Sequence, residues 1–147
     1  MMKTRDIIEI TVHSVIDELD GAGLVTGEPE INIITAEGEI FSDGDETVIE
    51  YTEKSEGGEV VCRLTLLRDG RVLLKRSGGV ECEIVFEEGK TVNTLYSVPP
   101  YSFDMRVHTM RIRKDIASHE GCIRLLYLMN VGGRDAKANM KISFKTK

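Results

Sequence analysis

Tryptophan is absent from this 147-residue chain, and cysteine and histidine number only three each. The cysteines, Cys62, Cys82 and Cys122, are odd in number and include no C-x-x-C pair. That excludes a disulfide framework and favours free thiols behaving as small hydrophobes. A zinc site needs three or four ligands. His119-x-x-Cys122 has a ligand-like spacing, but His13, His108, Cys62 and Cys82 are scattered, so neither a metal nor a cofactor is expected. No run of 18 apolar residues is present, which excludes a transmembrane helix. The segment Met1-Met2-Lys3-Thr4-Arg5-Asp6 lacks the apolar stretch and cleavage site of a signal peptide. With unpaired cysteines this leads to an expectation of a reducing cytoplasm. Positive charge is also in short supply. Nineteen Lys and Arg against 25 Asp and Glu leave −6, so neither a nucleic acid nor a membrane is expected as a partner.

What is present is alternation. Hydrophobic residues at 41% and charged residues at 30% suit a globular chain rather than a disordered one. Apolar and polar residues alternate with a period of two, the strand signature. Ile8, Ile10 and Val12 share one face of a first strand, and Ile31 and Ile33 begin a second that runs to Phe41. A third strand is anchored by Val48 to Tyr51, after a turn at Asp43-Gly44. Further faces are Val60-Cys62-Leu64-Leu66, Val72-Leu74, Val80-Cys82-Ile84-Phe86 and Tyr101-Phe103-Met105-Val107-Thr109. Near the end come Ile123-Leu125-Tyr127-Met129 and Ala136-Ala138-Met140-Ile142-Phe144. Gly57-Gly58, Gly78-Gly79, Glu88-Gly89 and Pro99-Pro100 mark turns, and Asp69-Gly70 predicts a type I′ hairpin. The Gly- and acid-rich stretch from Asp20 to Glu30 reads as one loop. No helical stripe of ten residues stands out. The expectation is a single all-β antiparallel domain over residues 1–147, with about ten strands in an up-and-down barrel or a sandwich.

Several short motifs look chemical and have plainer readings. Gly21-Ala22-Gly23-Leu24-Val25-Thr26-Gly27 places its third glycine one position late for a dinucleotide loop, and Pro29 blocks the required helix. Asp43-Gly44-Asp45-Glu46 lacks the calcium-loop register and reads as a solvated hairpin tip. Ser77 has no G-x-S-x-G frame. Arg111-Ile112-Arg113-Lys114 concentrates positive charge and reads as a solvated strand end.

Arg76 is different. It shares a face with Val72 and Leu74, so it is expected to point inward. A charge on a core face needs a partner, because an isolated buried ion is very costly. Glu50, Glu53, Tyr51, Tyr96 and Tyr101 are the candidates, with Glu50 placed inside by its alternation with Val48.

Over most of its length the chain resembles the YwiB-like family of uncharacterised bacterial proteins. The resemblance rests on Gly70-x-Val72-x-Leu74-x-Arg76-x-Gly78, on Ile84-x-Phe86-Glu87-Glu88-Gly89, and on Tyr51-Thr52-Glu53. Tyr96-x-x-Pro99, followed by Val107-x-Thr109, resembles that family's Tyr-x-Thr-Pro segment and the strand after it. Val98, Pro100 and Tyr101 depart from its pattern. The resemblance implies a calycin-like, lipocalin-type barrel of eight to ten strands and no known activity.

Two functions follow as expectations. The first is a barrel that binds a small apolar or amphipathic molecule, with Glu50, Glu53, Arg76, Tyr96 and Tyr101 as cavity residues. The second is an interaction protein or homodimer, because Met105–Met110 and Leu125–Met129 are rich in apolar side chains on both faces. An enzyme is not favoured, since no base and nucleophile can be placed together by spacing.

Overall fold

The computed structural model describes residues 5–55 and 58–147. Ten antiparallel strands form one sheet: β1 (Asp6–Leu19), β2 (Val25–Asp43), β3 (Glu46–Ser55), β4 (Gly58–Leu66), β5 (Val72–Gly78), β6 (Cys82–Phe86), β7 (Thr91–Val98), β8 (Tyr101–Ile116), β9 (Glu120–Val131) and β10 (Arg134–Thr146). The order is β6-β5-β4-β3-β2-β1-β10-β9-β8-β7. Every chain neighbour except β6 and β7 is a sheet neighbour, and the first strand pairs with the last. The outer strands then meet through Glu81 and Ser97, which exchange two backbone hydrogen bonds of 2.8 and 2.9 Å. The result is a nearly closed barrel, in which the edge-strand hazard is largely removed. Among the described residues no helix is long and apolar enough to cross a membrane.

Alternation sets the inner face. Ile10 and Val12 of β1 pair through Phe144 and Ile142 of β10 with Gly121 and Ile123 of β9, and Ile8 stands opposite Thr146. Ile49, Leu64, Leu74 and Ile84 form one inward row across β3 to β6. At the end where β1 begins and β10 finishes, the lower end, these side chains fill the interior. Ile8, Ile10, Ile49, Leu64, Phe86, Ile123 and Leu125 are all 0% exposed. Phe86 reaches across to Tyr127, with ring centroids 5.0 Å apart and planes tilted by 56°.

Three local expectations are corrected. The supposed loop from Asp20 to Glu30 is mostly strand: the turn ends at Leu24 and β2 starts at Val25. Gly27 at φ 69° and Pro29, which has no N–H to give, instead fall in a bulge opposite Asp17, where the register shifts between Ile16 and Glu18. The Asp69-Gly70 turn is not type I′, because Gly70 takes a positive φ (97°) and Asp69 does not. The Asp69 carboxylate accepts from Arg71 N (3.1 Å) and Arg71 Nε (2.8 Å), which stabilises a three-residue loop closed by Leu67 and Arg71. Third, Val48 and Glu50 face outward. Val48 is buried on the outside, opposite Phe41, where Arg5 lies 4.1 Å over the Phe41 ring. Of the other expected features, Met1–Thr4 and Gly57 lie outside the described residues.

Candidate functional site

The upper end of the barrel carries the five hairpins β1–β2, β3–β4, β5–β6, β7–β8 and β9–β10. Here the inward side chains do not meet, and a hollow of ≈ 480 Å³ opens above the packed half. That volume suits a small ligand. Its wall is largely apolar, with Ile16, Ile34, Met129 and Met140 among its residues, while Ser14, Asn32 and Glu30 supply polar groups. Leu74, Ile84, Met105 and Tyr127 form part of the lining and belong to the buried core beneath.

One wall is made by a row of directly opposed residues, Tyr51–Cys62–Arg76–Cys82, running across β3, β4, β5 and β6. Gly38 of β2 continues the row beside Tyr51. A Cβ at Gly38 would collide with the Glu50 carbonyl and press on the Tyr51 side chain, so this close approach of β2 to β3 requires glycine. Glu53 lies two residues beyond Tyr51 on the same face and reaches Arg76, with Nη2 to Oε2 at 2.7 Å. The other Glu53 oxygen accepts from the Cys62 thiol at 3.6 Å. The ion pair is mostly shielded, with Arg76 and Glu53 side chains 24% and 15% exposed. Arg76 Nε is buried and has no acceptor among the described residues.

Burial is the largest single influence and opposes the charge on Arg76, but Glu53, with Cys62 and Cys82, together outweigh it and hold the guanidinium protonated. Burial, reinforced by Glu53, pushes the Cys62 thiol up to about 11. The Cys82 thiol and the Tyr51 hydroxyl are pushed up as well, chiefly by burial. Burial raises Tyr127 to about 12. At neutral pH the hollow therefore holds one compensated ion pair among neutral thiols and phenols. A thiol kept protonated is a poor nucleophile.

Of the residues singled out from sequence, Glu53, Arg76 and Tyr96 line this hollow. Glu50 does not. It lies on the outer face, 3.9 Å from Arg63, because the alternation that turns Ile49, Tyr51 and Glu53 inward turns it outward. Tyr101 is 67% exposed and outside the lining. The pairing of β8 with β9 begins at Met105, so Tyr101 overhangs the rim on the β7–β8 hairpin. Residues missed as site members are Cys82, Tyr127, Ser14, Asn32 and Glu30, and Cys62 is buried beside Arg76 behind the lining. The cysteines do alternate with core residues in sequence, but their flanking of Arg76 depends on cross-strand register. Elsewhere, no group of three metal-ligating side chains occurs among the described residues, and His119 and Cys122 sit at the lower end, His119 in the β8–β9 turn.

A nearly closed antiparallel β-barrel, packed at one end and hollow at the other, is the class that fold and site define. Residues 24–143 match the family described as a domain of unknown function, DUF1934, and the chain belongs to that family. It is 25% identical over 145 residues to the uncharacterized beta-barrel protein YwiB of Bacillus subtilis (strain 168), covering 98% of this chain and 96% of that protein. The crystal structure of the ywiB protein from Bacillus subtilis superposes with a TM-score of 0.83 at 24% identity, covering 97% of this chain and 93% of that one. The likeness supports the barrel. The family carries no assigned activity.

Proposed function

We propose that this protein binds a small amphipathic molecule in the upper hollow of its barrel, in the manner of calycin-type barrels. The observation that carries this reading is the combination of an apolar wall with Arg76, whose Nε–H points to no acceptor among the described residues. A buried donor without a partner costs stability, and a ligand carbonyl or carboxylate would satisfy it. The apolar part of the ligand would lie against Ile34, Met129 and Met140. A cytoplasmic setting belongs to the same proposal and is supported by three free cysteines.

The test is native mass spectrometry of freshly purified protein, with a denatured extract alongside. A small molecule of reproducible mass should be released on denaturation. In parallel, the anionic amphiphile 1-anilinonaphthalene-8-sulfonate should bind saturably at one site, and Arg76→Met should weaken it. An empty protein that also shows no saturable binding of the dye would sink the proposal.

The homodimer reading draws on Leu126 and Leu128, which are half-buried on the outer face of β9, and on Met110, 45% exposed at the β8 bulge. Arg111 and Arg124 interrupt this apolar strip, so small-molecule binding is the better-supported function.

A further inference from the structure

The net charge of −6 conceals a division within the molecule. Residues 106–147 contain ten Lys or Arg and three Asp or Glu, a net of +7. Residues 1–105 contain nine and 22, a net of −13. The fold assigns the positive part to one wall, made by β8, β9 and β10. Pairing sharpens it further. Arg113 stands directly opposite Arg124, and Arg124 directly opposite Lys141. Their neighbours Ile112, Ile123 and Ile142 pack toward the core, so these three cations project outward. Adjacent strands are about 4.8 Å apart, so the row gathers three positive charges across about 10 Å. Arg111 and Arg106 extend the same face along β8.

Folding does not ask for this row. Like charges directly opposite one another in a sheet are destabilising. Few of these cations are held in ion pairs. Among the described residues, ion pairs engage Arg5, Arg63, Arg68, Arg71 and Arg76 of the acidic part, but only Lys147 of the ten cations beyond Met105. Acids bound the face rather than interrupt the row: Asp115 lies opposite Cys122, Glu88 accepts from Ile112 N at 2.7 Å, and Glu9 and Glu120 flank Lys145.

We infer that the outer face of β8, β9 and β10 binds the phosphate backbone of a duplex nucleic acid. Arginine forks match phosphate oxygens and stay charged at any physiological pH. A phosphate backbone offers closely recurring negative charges to a row of this kind. The outward positions from Arg106 to Arg113, Arg124 to Leu128 and Asn139 to Ser143 include no Phe, Tyr or Trp. The face therefore has no platform for stacking the bases of a single strand, which leaves backbone contact with a duplex. The acidic remainder of the barrel does not prevent this. Repulsion between exposed charges is largely screened beyond about 10 Å at 0.1 M salt.

The test is fluorescence anisotropy of labelled duplex DNA, duplex RNA and single-stranded RNA of equal length, titrated with the full chain at two salt concentrations. Duplex binding should be independent of base sequence, with a dissociation constant of roughly 10⁻⁴–10⁻⁶ M, and should weaken as salt rises. Arg113→Glu with Arg124→Glu should weaken it at least about tenfold and reduce the log–log salt slope by about two. Arg113→Gln with Arg124→Gln should act in the same direction. Arg68→Glu with Arg71→Glu, on the β4–β5 hairpin, should leave the affinity unchanged. The inference is overturned if no duplex binds at low salt, if single strands bind better, or if the hairpin variant loses as much. It is also overturned if the charge reversal affects only self-association in sedimentation or only binding to anionic lipid vesicles.

Discussion

The lower and upper halves of this barrel use the same strands, the same alternation and the same hydrogen-bond ladders, yet one is packed and the other is hollow. Below Tyr127, inward positions hold Ile, Leu, Val and Phe, most of them wholly buried. Above it, the corresponding positions hold Ser14, Asn32, Glu53, Arg76 and Tyr96 beside longer apolar side chains. Backbone geometry does not distinguish the halves. The volume and polarity of the inward side chains do. Close packing in the lower half supplies stability, and that allows the upper half to hold an ion pair and an unpartnered donor.

The sharpest challenge to this contrast is truncation on either side of the boundary. Phe86→Ala, in the packed half, should destabilise by about 3–5 kcal/mol in urea unfolding. Met140→Ala, on the half-buried upper wall, should cost only about 1 kcal/mol. Equal losses would mean that the upper half is packed in solution.

A second prediction concerns Glu50 and Glu53 of β3. Glu53→Ala leaves the Arg76 charge shielded and unpaired, and should cost about 3 kcal/mol. Replacing both partners, Glu53→Leu with Arg76→Met, should recover most of that loss, because a hydrophobic pair fits the same space without desolvating charge. Glu50→Ala, only three residues away but on the outer face, should change stability by less than about 0.5 kcal/mol. If the two single substitutions behaved alike, the inner and outer assignments of β3 would be wrong.

The smallest effect is a pH dependence carried by Cys62. Below pH 9 its thiol is protonated in both folded and unfolded chains. Between pH 9 and about 11 the unfolded chain loses the proton while the folded chain retains it, so unfolding gains. Stability should fall across that window by on the order of 2 kcal/mol more in the natural chain than in Cys62→Ala. Parallel pH profiles of the two proteins in urea would show that Cys62 is not sealed against Tyr51 and Glu53.

The contrast between the halves was only partly readable in advance. Strands such as Val60–Leu66, Cys82–Phe86 and Ala136–Phe144 announce themselves because their alternation is strict and local. Arg76 was readable as an inward charge for the same reason. Val48 and Ile49 were not readable, since both are buried and either parity fits the pattern. That ambiguity put Glu50 on the wrong face. Gly27 and Pro29 suggest a loop to any local reading, but β1 is long enough to carry β2 past them as a bulge. Asp69-Gly70 had the composition of one turn and adopted another, because the aspartate found its hydrogen bonds in Arg71.

Alternation and turn residues act within a few positions of themselves, so the residues alone set about ten strands, most of their faces and a charge for the interior. Partnership acts across the sheet. Glu53 is chosen over Glu50 for Arg76, and Arg113, Arg124 and Lys141 fall into one row, only when strands far apart in the chain pair in a particular register. A one-residue slip would send every one of those side chains to the other face. The hollow depends on still more, because a space is left only where side chains from all around the barrel fail to meet.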